Sequence, residues 1–292
     1  MSGGGPVRDG ERGLILVNVL LFVAIASGIL LLMIAAEDSA LERGIKMRDA
    51  TRAQAIARGG ELSAVTALRR DALAAPESDN RTEAWAALAE KAAPIDGGSF
   101  DLAIADAQSR FNVNALMTGN AAAVEMLGHI AAAAGIPEQE VPRATVLVRT
   151  MGPISDLRPL RLAGLDQAQL ATLSELITAL PYPGAINLNA ASAPMLALLI
   201  GDPLKARRLV SLRDRKGYLS ASDLAAVDIP LPPGTGFTSD QFWVRTRVRI
   251  GGVSQQLTSL LVRKRDPSGR PSVVVVGRWT GPAPPDQAPP LP

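Results

Sequence analysis

From Leu14 to Ala36 the chain runs for 23 residues without a charge. About 20 apolar residues suffice for a helix to cross the hydrocarbon core of a bilayer. Residues 14–36 are therefore read as one transmembrane helix. A secretory signal has an apolar region of only about 7–15 residues followed by a small-residue cleavage site. This run is longer, and helical character continues past it through "AAEDSALERG". From Glu37 to Asp71 there is no proline, and Ala, Leu, Glu and Arg dominate. Leu41, Ile45, Ile56, Leu62, Val65 and Leu68 fall at approximately helical spacing, while Gly44, Gly59 and Gly60 weaken the helix locally. A continuous rod from Leu14 to Arg70 would be about 85 Å long.

The pattern then breaks. "APESDNRTEA" is a polar turn, and "TEAWAALAEKAAP" is read as a short helix. In "GGSFDLAIAD", Phe100, Leu102 and Ile104 alternate with polar or small residues, the period of a half-buried strand. Residues 120–230 read as helical: "NAAAVEMLGHIAAAAG", "PEQEVPRATVLVRTM", "ISDLRPLRLAG", "DQAQLATLSELITAL", the pair "NAASAPMLALLIG" and "DPLKARRLVSLRDRKG", and "SASDLAAV" with Ser220 or Ser222 as its cap. After "PLPPGTG" the period returns to two. Phe242, Val244, Thr246, Val248 and Ile250 share one face of a strand, and Arg245, Arg247 and Arg249 share the other. "GG" and "PSGRP" turn into two further strands, which predicts an antiparallel meander. The Pro-rich end 281–292 is expected to be a disordered tail.

The predicted fold class is α+β. A long N-terminal helix packs on a small antiparallel sheet, residues 97–111 and 238–280, and residues 112–237 form an α-helical domain inserted into that sheet. Residues 37–96 continue the helix and link it to the sheet. The flanking charges orient the anchor. Arg8 and Arg12 precede it, Glu37 and Asp38 follow it, and basic flanks stay cytoplasmic. Most of the chain is then extracytoplasmic, and periplasmic in a Gram-negative cell.

Composition narrows the chemistry. There are no cysteines, so thiol nucleophiles, disulfides and thiolate metal sites are excluded. The single histidine, His129, sits among small apolar residues and is read as a structural or surface residue rather than a catalytic one. The net charge of +2 lends no support to wholesale nucleic-acid binding. No phosphate loop, metal cluster or nucleophile motif is present, and the chain is not read as an enzyme.

The leader carries a resemblance. A short basic leader ending in Gly13, followed by an apolar helix from Leu14 ("RG/LILVN"), resembles type IV pilin and pseudopilin precursors. The resemblance implies a cytoplasmic leader 1–13, cut by a prepilin peptidase between Gly13 and Leu14. Family members usually have glutamate at the fifth mature position, and here that position is Asn18. The resemblance implies that this glutamate pairs with the terminal amine of a neighbouring subunit. A subunit with none above it needs no such group, and an unpaired carboxylate in the bilayer is costly. Loss of the glutamate is typical of the K-type minor pseudopilins of type II secretion.

Further segments resemble that K-type family in order along the chain: "IADAQSRFNVNAL", with its Asn-x-Asn step into the insertion, "PISDLRPLRLAGLD", "AINLNAAS" and "FTSDQFWVRTRVRIGG". The resemblance implies a single-pass inner-membrane protein with a cytoplasmic N-terminus, placed at the tip of a periplasmic pseudopilus. It further implies I- and J-type minor pseudopilins and the major pseudopilin as partners, and contact with the secretin channel or secreted proteins. K-type members often carry an acidic, calcium-binding tract between "RAT" and "PIS". Here the stretch "PRATVLVRTMGPISDL" holds only Asp156, so no calcium site or other cofactor is expected.

Residues 186–227 look like a helix-hairpin-helix unit, and a membrane-anchored DNA receptor of competence type is the alternative reading. DNA-binding hairpins bracket their turn with two glycines so that backbone N–H groups reach a phosphate. Here the turn is Ile200, Gly201, Asp202 and Pro203. The second glycine is missing, Asp202 is negative, and Pro203 has no N–H. Lys205, Arg207, Arg208, Arg213 and Arg215 are read as a solvated helix face, with no nucleic acid expected. The arginine face of Arg245, Arg247 and Arg249 is likewise read as solvent-facing, with an acidic neighbouring pseudopilin as the alternative.

Overall fold

The computed structural model describes residues 9–292, with side chains from residue 16 onward. Helix α1 spans Asp9–Ala74 without interruption. At 1.5 Å per residue its 66 residues extend about 100 Å. Its membrane-proximal part is unpartnered: the large apolar side chains from Leu16 to Ile34 are exposed. Its far end lies along a five-stranded antiparallel sheet.

That sheet is built from β1 (Glu90–Ile95), β2 (Gly98–Asp106), β7 (Gln241–Ile250), β8 (Val253–Arg265) and β9 (Pro271–Thr280), in the order β1-β2-β7-β8-β9. The alternation in β7 holds. Phe242, Val244, Thr246, Val248 and Ile250 are all buried, and the four apolar ones pack toward α1. The segment leading into β2 differs from expectation. "EKAAPI", within the expected helix 82–94, is instead the edge strand β1, a hairpin partner of β2 with a register shift between Glu90 and Ala93. Only Ala86–Leu88 is helical there, as a single 3-10 turn. Pro94 is tolerated because an edge strand can forgo a ladder N–H.

The face that α1 buries takes Leu68 and part of Ile56 and Val65 from the apolar series, but its centre is made of small residues. Ala53, Ala57, Ala64 and Leu68 are buried, whereas Leu41 and Leu62 are about two-thirds exposed. Small residues let the helix axis approach the sheet closely. Gly60 marks the closest approach: a Cβ there would lie 2.7 Å from the Phe100 ring and 2.9 Å from Thr246 Cγ2. Three carboxylates share this buried face. Glu61 accepts from the Ser259 hydroxyl and from both Nε and Nη2 of Arg278, at 2.9 and 2.8 Å. Asp71 takes Arg263 Nη2 at 3.0 Å, and Asp49 takes Arg48.

Between β2 and β7 the chain forms the helical insertion. It contains β3 (Phe111–Asn112), α2 (Ala121–Ala133), α3 (Glu140–Met151), α4 (Gln167–Ser174), β4 (Ile177–Thr178), β5 (Ile186–Asn187), α5 (Ala193–Ile200), α6 (Pro203–Lys216), α7 (Ala221–Ala225) and β6 (Thr235–Gly236). The expected helix over "DQAQLATLSELITAL" ends at Ser174, and Ile177–Thr178 instead pairs in parallel with Phe111–Asn112. Asp166 and Gln169 form a reciprocal capping box at the start of α4. One large apolar core unites these elements, with Leu116, Ile130, Ile177, Leu188, Met195, Leu196, Leu209 and Leu219 fully buried.

The tail expected to be disordered lies against the protein. Gln287 is buried, and Arg245 Nη1 donates to the Pro289 carbonyl at 3.2 Å.

Candidate functional site

The anchor comes first. Asn18 is an exposed position of α1, among side chains that touch nothing else in the chain. The apolar N-terminal helix fits a single-pass membrane anchor by length and composition. Residues 1–8 of the expected leader lie outside the described residues, as do the side-chain surroundings of the expected cut at Gly13 and Leu14.

The second feature is the seam where the insertion leaves and rejoins the sheet. Asn112 Oδ1 accepts from Leu180 N and Asn114 N, and its amide donates to the Leu180 and Tyr182 carbonyls. Asn114 pairs with both backbone groups of Ile154 and donates to Leu180 O. Asn189 does the same with both backbone groups of Leu219. Asparagine suits this work because one side chain offers an acceptor and two donors to chain segments with no ladder partner. The Asn-x-Asn step is thus a buried staple.

Carboxylates complete the seam. Asp106, the last residue of β2, accepts from Ser239 Oγ at 2.6 Å, Asn187 Nδ2 at 2.7 Å and Gln108 N at 2.7 Å. Burial pushes its pKa up to about 6 despite these bonds. Asp79 accepts from Ser239 N at 2.7 Å and from Arg263 Nη1 at 2.9 Å. Asp71, Asp79 and Glu83 bring carboxylate oxygens within 4.8 Å of one another. Burial, and then the nearby Glu83 charge, push Asp71 up to about 7. Arg263 bridges Asp71 and Asp79 and supplies the positive charge that a metal ion would otherwise bring to such a cluster. Sequence reasoning missed this seam, since its partners lie up to 192 residues apart, as for Arg263 and Asp71.

The hairpin between α5 and α6 is built as expected in outline. Gly201 ends α5 at φ +69°. Asp202 then caps α6, accepting from Leu204 N at 2.8 Å and Lys205 N at 3.1 Å. Those are the N–H groups that a phosphate would need, and the chain's own carboxylate occupies them. Arg213 is not part of a solvated basic face: its guanidinium is half-buried and donates to the Leu188 and Ala191 carbonyls at 2.9 and 2.6 Å. Lys205 donates to Asp228 O at 2.9 Å. Arg207, Arg208 and Arg215 remain exposed. His129 is an exposed residue of α2.

The arginine face of β7 differs from expectation. Asp101 stands directly across from Arg247 in the β2–β7 register. Arg247 Nε and Arg249 Nη2 both reach its carboxylate, at 2.7 and 3.1 Å. Asp101 also accepts from Ala92 N at 2.8 Å. These hydrogen bonds and charges outweigh burial and hold its carboxyl below the usual range. An internal acidic partner, rather than solvent, answers these arginines. Asp156, the carboxylate of the segment following α3, is similarly gripped by Arg158 at 2.9 and 2.8 Å.

A helix that is apolar for its first half and sheet-packed for its second, on an antiparallel sheet interrupted by a helical domain, is the pseudopilin fold with a large insertion. Comparison with known proteins finds K-type relatives. The chain is 28% identical over 306 aligned residues to the type II secretion system protein K of Pseudomonas aeruginosa, covering 89% of this chain and 91% of that protein. It also resembles a chain of the crystal structure of the GspK-GspI-GspJ complex from the type 2 secretion system of enterotoxigenic Escherichia coli. The TM-score is 0.66 at 20% identity, covering 82% of this chain and all of that one. No protein-family model matches the chain. The resemblance to K-type pseudopilins is borne out over most of the chain.

Proposed function

We propose that this chain is the K-type minor pseudopilin of a type II secretion system, sited at the tip of the pseudopilus, where it helps to initiate or cap the fibre and supports export of folded proteins. The observation that carries this reading is the similarity to a type II secretion protein K over 89% of the chain, joined to a spanning helix with Asn18 in place of the usual glutamate. A polar but uncharged Asn18 can enter the bilayer without a partner amine above it. The protein is anchored in the inner membrane through residues 14–36, with its sheet and insertion in the periplasm. Prepilin peptidase removes the leader between Gly13 and Leu14. I- and J-type minor pseudopilins pack beside α1, and the major pseudopilin follows below. The insertion presents a bulky head toward the secretin channel or secreted proteins.

Its work is structural rather than catalytic. Asp202 fills the phosphate position of the hairpin, which argues against a DNA receptor. With Asp156 bound to Arg158, no calcium site is carried over to this chain. Intact mass of the protein extracted from membranes of cells with an active prepilin peptidase tests the reading. A mature chain beginning at Leu14 is expected, and a full-length N-terminus would overturn it.

A further inference from the structure

The two faces of the sheet are covered differently. One packs on α1, and the other carries Trp243, from β7, beside Trp279, from β9, with ring centroids 5.5 Å apart. Ala107, Leu180 and Leu260 complete this apolar patch, and Ala288 of the tail is seated on it. Arg245, also on this face, donates to the Pro289 carbonyl. A cavity of about 430 Å³ runs under the tail and is lined by Trp243, Ile104, Arg81, Arg110, Gln287 and Pro290 among others.

Aromatic rings beside a donor that reaches a proline carbonyl are the two elements that read polyproline II segments. The rings take the flat pyrrolidine faces, and the donor takes a carbonyl with no competing N–H nearby. The tail offers that chemistry in two proline runs, 282–285 and 289–292, either side of a turn closed by Ala288 N on the Pro285 carbonyl, with six prolines in "PAPPDQAPPLP".

The tail is also a poor occupant. Among the described residues, the bond from Arg245 is the hydrogen bond that ties the stretch after Gly281 to the rest of the protein. Gln287 is only 7% exposed, yet neither its amide oxygen nor its amide nitrogen has a partner. Such a buried group regains its hydrogen bonds once it returns to water. The occupant is therefore pre-shaped for the groove and easily lifted from it.

We propose that the Trp243–Trp279 groove is a docking site for a proline-rich extended segment of another polypeptide, and that residues 282–292 fill it in cis until such a segment displaces them. The test uses the detergent-solubilised full chain and a chain truncated after Gly281. The probe is a fluorescent synthetic peptide of residues 281–292, with one version carrying Gln287→Leu and another in which every proline is alanine. The truncated chain should show red-shifted tryptophan emission, reversed saturably by the peptide. The Gln287→Leu peptide should bind more tightly, and the proline-free peptide should not bind. The full chain should bind at least about tenfold more weakly, because its tethered tail competes at high effective concentration.

A full-length variant with Pro289→Gly and Pro290→Gly guards against misfolding of the truncated chain. It alters the tail alone and leaves Trp243, Arg245 and Trp279 in place, so it should recover peptide binding. Absence of binding in both variants would overturn the proposal. So would equal affinity for the proline-free peptide, or equal affinity of the full and truncated chains. Dimerisation of the full chain by exchange of tails would assign the groove to a second copy and overturn it as well.

Discussion

The α1–sheet unit and the helical insertion reach stability by different means. The insertion has one large core of Leu, Ile, Met and Val, with Leu196 and Met195 fully buried at its centre. On the α1 side, the contact with the sheet is built from alanines, a glycine, Leu68 and paired carboxylates. Large apolar residues tolerate small shifts in how helices pack. Ion pairs such as Glu61 with Arg278 and Asp71 with Arg263 do not. The first region holds by bulk, and the second fixes where a long rod sits on a sheet. That distinction suits a chain whose rod is embedded elsewhere and whose head must keep a defined pose.

Cutting the insertion core should have the largest effect. Leu196→Ala is expected to cost about 2–5 kcal/mol. Denaturant unfolding followed by hydrogen exchange should show α5 and α6 losing protection while β7 and β8 keep theirs. Equal loss in both regions would mean that the two are one cooperative unit.

Adjacent glycines of α1 test the close approach. Gly60→Ala forces a methyl against Phe100 and Thr246, an overpacking cost of about 1–3 kcal/mol, reduced by the ~1 kcal/mol helix preference of alanine. Gly59 has nothing within 4 Å of a built Cβ, so Gly59→Ala should stabilise by up to about 1 kcal/mol. Thermal midpoints that move in the same direction for both variants would contradict the close approach described for Gly60.

The last test is with pH, at the seam. Asp71 and Asp106 have folded pKa values raised to about 7 and about 6. Between their ordinary value of 3.8 and these values the folded chain binds more protons than the unfolded one. Their contribution is present at low pH and is lost as pH rises through 6 and 7. Glu61 and Asp101 are shifted the opposite way, and their contribution is lost only in more acidic solution. Denaturation midpoints should therefore fall from pH 5 to pH 8, and Asp71→Asn should flatten that slope. A rise over the same interval would contradict the sign.

Much of the architecture was legible. An uncharged run of 23 residues, strict alternation in β7 and a serine cap, which falls at Ser220, are local signals, and local signals survive folding. The failures share a cause. Leu62 falls at helical spacing yet is exposed, and the sheet selects instead for Ala57 and Ala64, whose smallness has meaning only beside Phe100. "EKAAPI" carries no strand period, and becomes a strand because β2 offers it an edge. Ile177 and Thr178 leave a helical pattern for a parallel partner far back in the chain. Arg247 looked solvent-facing until the register set Asp101 opposite it. At the seam, Asp79, Asp106 and Arg263 bear no motif, because their meaning lies in one another.

The placement of the insertion also sets an order of events during folding. Strands β2 and β7 pair across residues as distant as Asp101 and Arg247, which are 146 positions apart. Bringing such ends together as open chain is slow, because the loop must close before any contact rewards it. The insertion's own contacts are far more local. Once it folds, the bonds from Ser239 Oγ to Asp106 and from Asp240 N and Gln241 N to Gln108 Oε1 hold the two strand ends side by side, and the long loop is in effect already closed. The bulky head is thus also the splint on which the sheet beneath it is set.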